Sequence, residues 1–153
     1  MTYRDHLAQD LAALLPGCHV EEDGVSRIRI HFPGLGVICL AVSKSGRVVE
    51  SCDAQGRAPK DLPAGNLVTA QDAAQIAVGG FIKRQWQWSA PEPRHLEQLA
   101  ALGFADRVPD LVRSALARID RRRTEIAVEI AERQKQDTDL AVKASAYRAL
   151  VAP

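Results

Sequence analysis

Apolar residues recur at two periods along this chain, and the change from one to the other divides it. Leu7, Leu11, Leu14 and Leu15 share one face of a helix predicted over residues 2–15, while Arg4, Asp5, Gln9 and Asp10 are polar. Thr2 is placed to cap that helix, Asp5 follows three residues later in capping-box position, and Pro16-Gly17 stops it. The period then shortens to two. Residues 18–22 read as a short strand that turns at Asp23-Gly24. Over residues 25–32, Ile28, Ile30 and Phe32 fall on one side and Arg27, Arg29 and His31 on the other, the pattern of a strand with one buried face. Pro33-Gly34-Leu35-Gly36 leads to residues 37–42, which are apolar on both faces and therefore predicted to be a central strand. A turn over residues 43–46 and a return strand over 47–52 complete the run. These elements predict an α+β fold in which an N-terminal helix packs on a three- or four-stranded antiparallel meander. Its core should hold Ile28, Ile30, Phe32, Ile38, Leu40 and Val42 beneath Leu7, Leu11 and Leu14 or beneath the next helix.

Residues 53–68 contain Gly56, Pro59, Pro63, Gly65 and Asn66 without periodicity and read as a loop. From Thr69 onward the period is helical. Thr69 caps a helix bearing Ala73, Ile76, Ala77 and Phe81; Gly79-Gly80 inside it costs about 1 kcal/mol per glycine relative to alanine, which suggests close contact with the sheet or a break. A short helix over 94–102 ends at Gly103, and Asp106 caps a long one with Pro109 in its first turn. The long helix carries Val112, Leu116, Ile119, Ile126 and Ile130 at spacings of three and four. Arg123 interrupts this seam, which continues poorly through Arg133 and Asp137 before resuming at Leu140, Ala144 and Tyr147. The polar stretch 134–139 predicts a break or kink, with Asp137 or Thr138 able to cap a final helix, and the apolar seam would be covered either by residues 140–150 folding back or by a second copy of the chain. The expected organisation is an α+β core over residues 1–90 and a helical extension over 91–153, packed on the core or on a partner.

The 153 residues fit one compact domain, or one domain with an appendage. At 46% hydrophobic and 25% charged the chain can build a core. Lys plus Arg is 20 against 19 for Asp plus Glu, a formal net charge of +1, which excludes an acidic nucleic-acid mimic and a uniformly basic coat protein. With neither a run of 18 apolar residues nor a signal-peptide plan at the start, the expectation is a cytoplasmic protein without membrane contact. Cys18, Cys39 and Cys52 form no C-x-x-C pair and read as reduced thiols serving as small hydrophobes. Together with His19 and His31 they lack the paired spacing of zinc ligands, so no metal is expected. No cofactor is expected either, because Gly34-Leu35-Gly36 lacks the third glycine and the strand–helix context of a dinucleotide turn.

No phosphate loop, H-E-x-x-H, G-x-S-x-G or calcium loop is present, and the chain is not expected to be an enzyme. Two places could carry a contact instead. Residues 81–88 gather Lys83, Arg84, Trp86 and Trp88, residue types that concentrate in protein interfaces, and Ile126 and Ile130 lie on the long helix. The primary expectation is a small accessory or inhibitory protein, of the sort common in phage and plasmid contexts, that binds a protein partner through its helical half. A homodimer is one form of it. Arg123 and Arg133 would confine any such pairing to a short patch rather than a long regular coiled coil. The alternative is nucleic-acid binding by Arg118, Arg121, Arg122 and Arg123, opposed by interleaved acids and by ion-pair spacing at Arg121–Glu125 and Glu129–Arg133. A cysteine-dependent enzyme using Cys39 or Cys52 near His31 comes third. Over residues 2–88 the order of elements resembles the helix–three-strand–helix plan of double-stranded RNA-binding domains. Their second helix opens with lysines, whereas residues 69–74 hold none and add Asp72, so no membership follows.

Overall fold

The computed structural model describes residues 3–24, 26–42, 48–52 and 69–153. The predicted cap at Thr2, the turn over 43–46 and the loop over 53–68 lie outside these. The chain divides into two compact units, Met1–Leu111 and Val112–Pro153.

In the first unit, helix α1 (Tyr3–Leu14) precedes strands β1 (His19–Asp23), β2 (Arg27–Phe32), β3 (Gly36–Val42) and β4 (Val48–Cys52). The strands form one antiparallel sheet in the order β1-β2-β3-β4, the meander read from the alternation. Register sets Ile28 opposite Leu40 and Ile30 opposite Ile38, so the aliphatic side chains of β2 and β3 stand on one face. That face is the core. Ile28, Ile30, Phe32, Ile38, Leu40 and Val42 are buried beneath Leu7 and Leu11 of α1 and beneath α2 (Ala70–Gln85). Leu14 is not part of it: Leu15 takes the inward position, and Leu14 is left exposed. The reason is angular. Leu7, Leu11 and Leu15 lie four residues apart on a single stripe, whereas Leu14 is rotated about 100° from Leu15 toward solvent.

Helix α2 starts where its capping chemistry requires. The Thr69 hydroxyl accepts from the Asp72 amide at 3.1 Å, and the Asp72 carboxylate accepts from the Thr69 amide at 3.1 Å. Ala73, Ala77 and Phe81 form its buried stripe, and the Phe81 ring stacks on Phe32 at 4.0 Å. The helix runs unbroken through Gly79-Gly80, and a methyl group at Gly79 would meet nothing within 4 Å, so neither a break nor a close approach explains that glycine. Close approach occurs instead at Gly17, where an added Cβ would lie 2.6 Å from the Leu102 carbonyl oxygen. Helix α3 (Pro93–Leu99) follows, then a kinked turn over Ala100–Phe104 where Gly103 adopts φ +102°. Leu99 is fully buried, and Leu102, Phe104 and Leu111 pack on the same core.

Helix α4 (Val108–Val151) is 44 residues long and supplies nearly all of the second unit, so the C-terminal half is helical with one long helix. The predicted break over 134–139 and the fold-back of 140–150 do not occur. Thr138, expected to cap a new helix, donates its hydroxyl to the Gln134 carbonyl one turn back, at 3.0 Å, and stays inside the old one. Gln134, Lys135 and Gln136 are good helix formers, and neither glycine nor proline occurs between Asp110 and Ala152.

Candidate interaction surface

The two tryptophans of the 83–88 segment separate. Trp86, at the C-terminus of α2, is 6% exposed, with its ring against Phe81 (6.1 Å, edge-on) and His95 (6.2 Å). It is a core residue with little surface left for a partner. Trp88, two residues further on, is 90% exposed, and Lys83 is exposed while Arg84 is partly covered. One large apolar side chain in solvent makes a small patch.

Within the arginine cluster of residues 118–123 on α4, Arg122 is tied to carboxylates of its own helix. The Arg122 guanidinium donates to Glu125 at 3.1 Å and to Glu129 at 3.2 Å, and these carboxylates hold it above its ordinary range. Glu125, spaced four residues from Arg121, turns instead to Arg122 three residues away, and Arg122 also reaches Glu129. Arg121 and Arg123 are exposed and Arg118 is partly covered. Phosphate binding through Arg122 would require displacing two glutamates.

Among the described residues, the longest array of exposed apolar side chains lies on α4. Leu116 is 54% exposed, Ile119 51%, Ile126 39%, Ile130 50%, Leu140 65% and Tyr147 62%. Continuity of the helix changes what their spacing means. With no break at 134–139, the steps of three and four run without a phase change from Val112 to Val151, so Arg123, Arg133 and Asp137 are members of one seam. All three are exposed. The sequence alone left this continuity open, because the same six polar residues are compatible with a helix interior and with a capped restart.

On the outer face of the sheet, register gathers a polar cluster that had not been singled out. The Glu21 carboxylate accepts from the His31 imidazole at 2.9 Å and lies 3.7 Å from His19 and 3.5 Å from Arg29, which also pairs with Asp23 at 2.9 Å. The hydrogen bond from His31 holds Glu21 below the ordinary carboxylate range. The signal was available in the alternation, since Glu21 and Asp23 share a phase within β1, as Arg29 and His31 do within β2. It required the pairing register to become a contact. Among the described side chains the cluster itself contains no thiol or hydroxyl: Cys39, in register with Arg29, is fully buried, and burial pushes the Cys18 thiol up to about 11. Cys39 opposes Arg29 rather than His31, which pairs with Val37, so no cysteine–histidine couple is aligned across β2 and β3.

A cleft of about 220 Å³ lies between α1, α2 and the turns before α4, lined by Leu15, Gln71, Gln75, Val78, Phe104 and Arg107 among others. Arg107 donates to the Gln75 side chain across it. Among the described residues, no group of three or more histidine, cysteine or acidic side chains could hold a metal ion, and no helix is long and apolar enough to cross a membrane. No family model matches the chain, and no curated protein and no solved structure matches it either.

Proposed function

We propose that this chain is a non-catalytic protein-interaction protein whose contact surface is the apolar seam of α4. One observation carries the reading: large aliphatic side chains from Leu116 to Leu140 recur at coiled-coil spacing on an unbroken helix and are exposed. Exposed apolar side chains gathered along one helix face, here interrupted by Arg123, Arg133 and Asp137, mark interaction sites, whereas singly scattered exposed hydrophobics need no explanation. Ile126 and Ile130, adjacent on the seam, are its centre, with Trp88 and Lys83 a separate small patch. Nothing in the outer-face cluster or the cleft pairs a nucleophile with a base, which is why the reading is an association rather than a reaction.

The test compares the full chain with its Ile126→Asp/Ile130→Asp variant, by mass in solution and by stoichiometric capture from the source cells. Both positions are exposed, so the variant should fold. Every association of the parent chain should be lost or weakened at least about tenfold. Associations that survive the double substitution unchanged would overturn the assignment of the seam.

A further inference from the structure

We propose that α4 pairs with a second copy of itself as an antiparallel coiled coil, with a two-fold axis that crosses the interface at the level of Lys135. The inference rests on the interaction reading above and names its partner. In an antiparallel pair the a and d positions of one helix face the d and a positions of the other, so a chosen centre fixes every facing residue. With the centre at Lys135, each seam position that interrupts the apolar pattern receives a matching partner. Asp137 faces the partner's Arg133, and Arg133 faces the partner's Asp137. Arg123 faces the partner's Tyr147, where a guanidinium can lie on a phenol ring. The remaining layers are apolar: Ile130 with Leu140, Ile126 with Ala144, and Ile119 with Val151.

Two flanking pairs add charge complementarity of their own. Asp120 falls beside the partner's Arg148, and Glu129 beside the partner's Lys143, both of opposite charge. Gln134 and Gln136 each meet their own copy across the axis, where two amides can donate and accept in turn. The overlap from Ile119 to Val151 spans about 50 Å at 1.5 Å per residue.

Other arrangements lose this match. In a parallel pair Arg123, Arg133 and Asp137 would each oppose the same residue of the other copy, giving three like-charge layers. Sliding the antiparallel pair by one heptad toward longer overlap sets Asp137 against Ile126, Arg133 against Ile130 and Arg123 against Leu140, so every charge faces an aliphatic side chain. Sliding it the other way sets Asp137 against Leu140 and Arg133 against Ala144. The charged seam residues thus select one direction and one register, as polar residues at core positions of coiled coils do.

Sedimentation equilibrium of the full chain from 1 to 100 µM tests the pairing through a charge-reversal cycle. The parent chain should be a dimer. Asp137→Arg should weaken it at least about tenfold by placing like charges in two layers, and adding Arg133→Asp to the same chain should restore the affinity to within about threefold. Circular dichroism confirms that each variant keeps its helix. Gln136→Cys should in addition form a disulfide to its own copy in a glutathione redox buffer, where the parent chain does not, because in a parallel pair the two sites lie on opposite sides of the interface. A dimer in which the second reversal fails to rescue the first overturns the proposed register. A monomer at 100 µM overturns self-pairing altogether. In that case, captured partners lost on Ile126→Asp/Ile130→Asp leave the broader interaction reading intact, and partners unaffected by it remove both.

Discussion

Replacing Leu40 by alanine probes whether the core is assembled as described. Leu40 is fully buried in β3, opposite Ile28 in β2, with β4 on its other side. The substitution removes three carbons; at about 0.8 kcal/mol per buried carbon the transfer loss is about 2.4 kcal/mol. A remaining cavity adds on the order of 1 kcal/mol, because neighbouring strands held in register can collapse only partly into the space. The expected loss is therefore about 3–4 kcal/mol, a large share of the roughly 5–15 kcal/mol that stabilises an ordinary domain. Urea denaturation followed by tryptophan emission reads this unit selectively, since Trp86 is packed on Phe81 within it, and a Trp88→Phe background removes the exposed ring. Far-ultraviolet dichroism would be a poorer probe, being dominated by α4. An unchanged m-value with a lower midpoint is the expected form of the result. A loss below about 1 kcal/mol would refute the placement of β3 at the centre of the sheet.

Two glycines should respond with opposite signs. Gly17→Ala should destabilise by about 1–3 kcal/mol in the same urea assay, because the new methyl group would meet backbone atoms of Leu102 that cannot rotate away. Gly79→Ala, in open space within α2, should stabilise by about 0.5–1 kcal/mol, and equal effects at the two sites would contradict the described contact. The Glu21–His31 pair predicts a pH dependence. Because the folded-state pKa of Glu21 lies below its ordinary 4.5, its stabilising contribution is fully present above the ordinary carboxylate range and is lost as pH falls through the depressed value. Carbon NMR titration of the Glu21 carboxyl should give a midpoint below 4.5 that returns toward it on His31→Ala; a midpoint at or above 4.5 in the parent chain would refute the hydrogen bond.

Local patterning was sufficient for the elements of the first unit. Alternation at Ile28, Ile30 and Phe32 against Arg27, Arg29 and His31 specifies a strand and its buried side, because side-chain direction in a strand has a period of two whatever surrounds it. The capping pair Thr69 and Asp72 likewise marks the start of α2 through bonds confined to four consecutive residues. Tertiary structure decided the rest. Leu14 and Leu15 are equally apolar, and only the position of the sheet selects Leu15. Trp86 and Trp88 sit in one run, yet packing on Phe81 and His95 takes the first into the core and leaves the second in solvent. The Glu21 cluster depends on pairing between β1 and β2, which no single strand encodes. In α4 the positions of the apolar and charged residues were legible from the start. Whether they formed one seam turned on the helix continuing through residues 134–139, where Thr138 bonds back to Gln134 inside the helix instead of capping a restart.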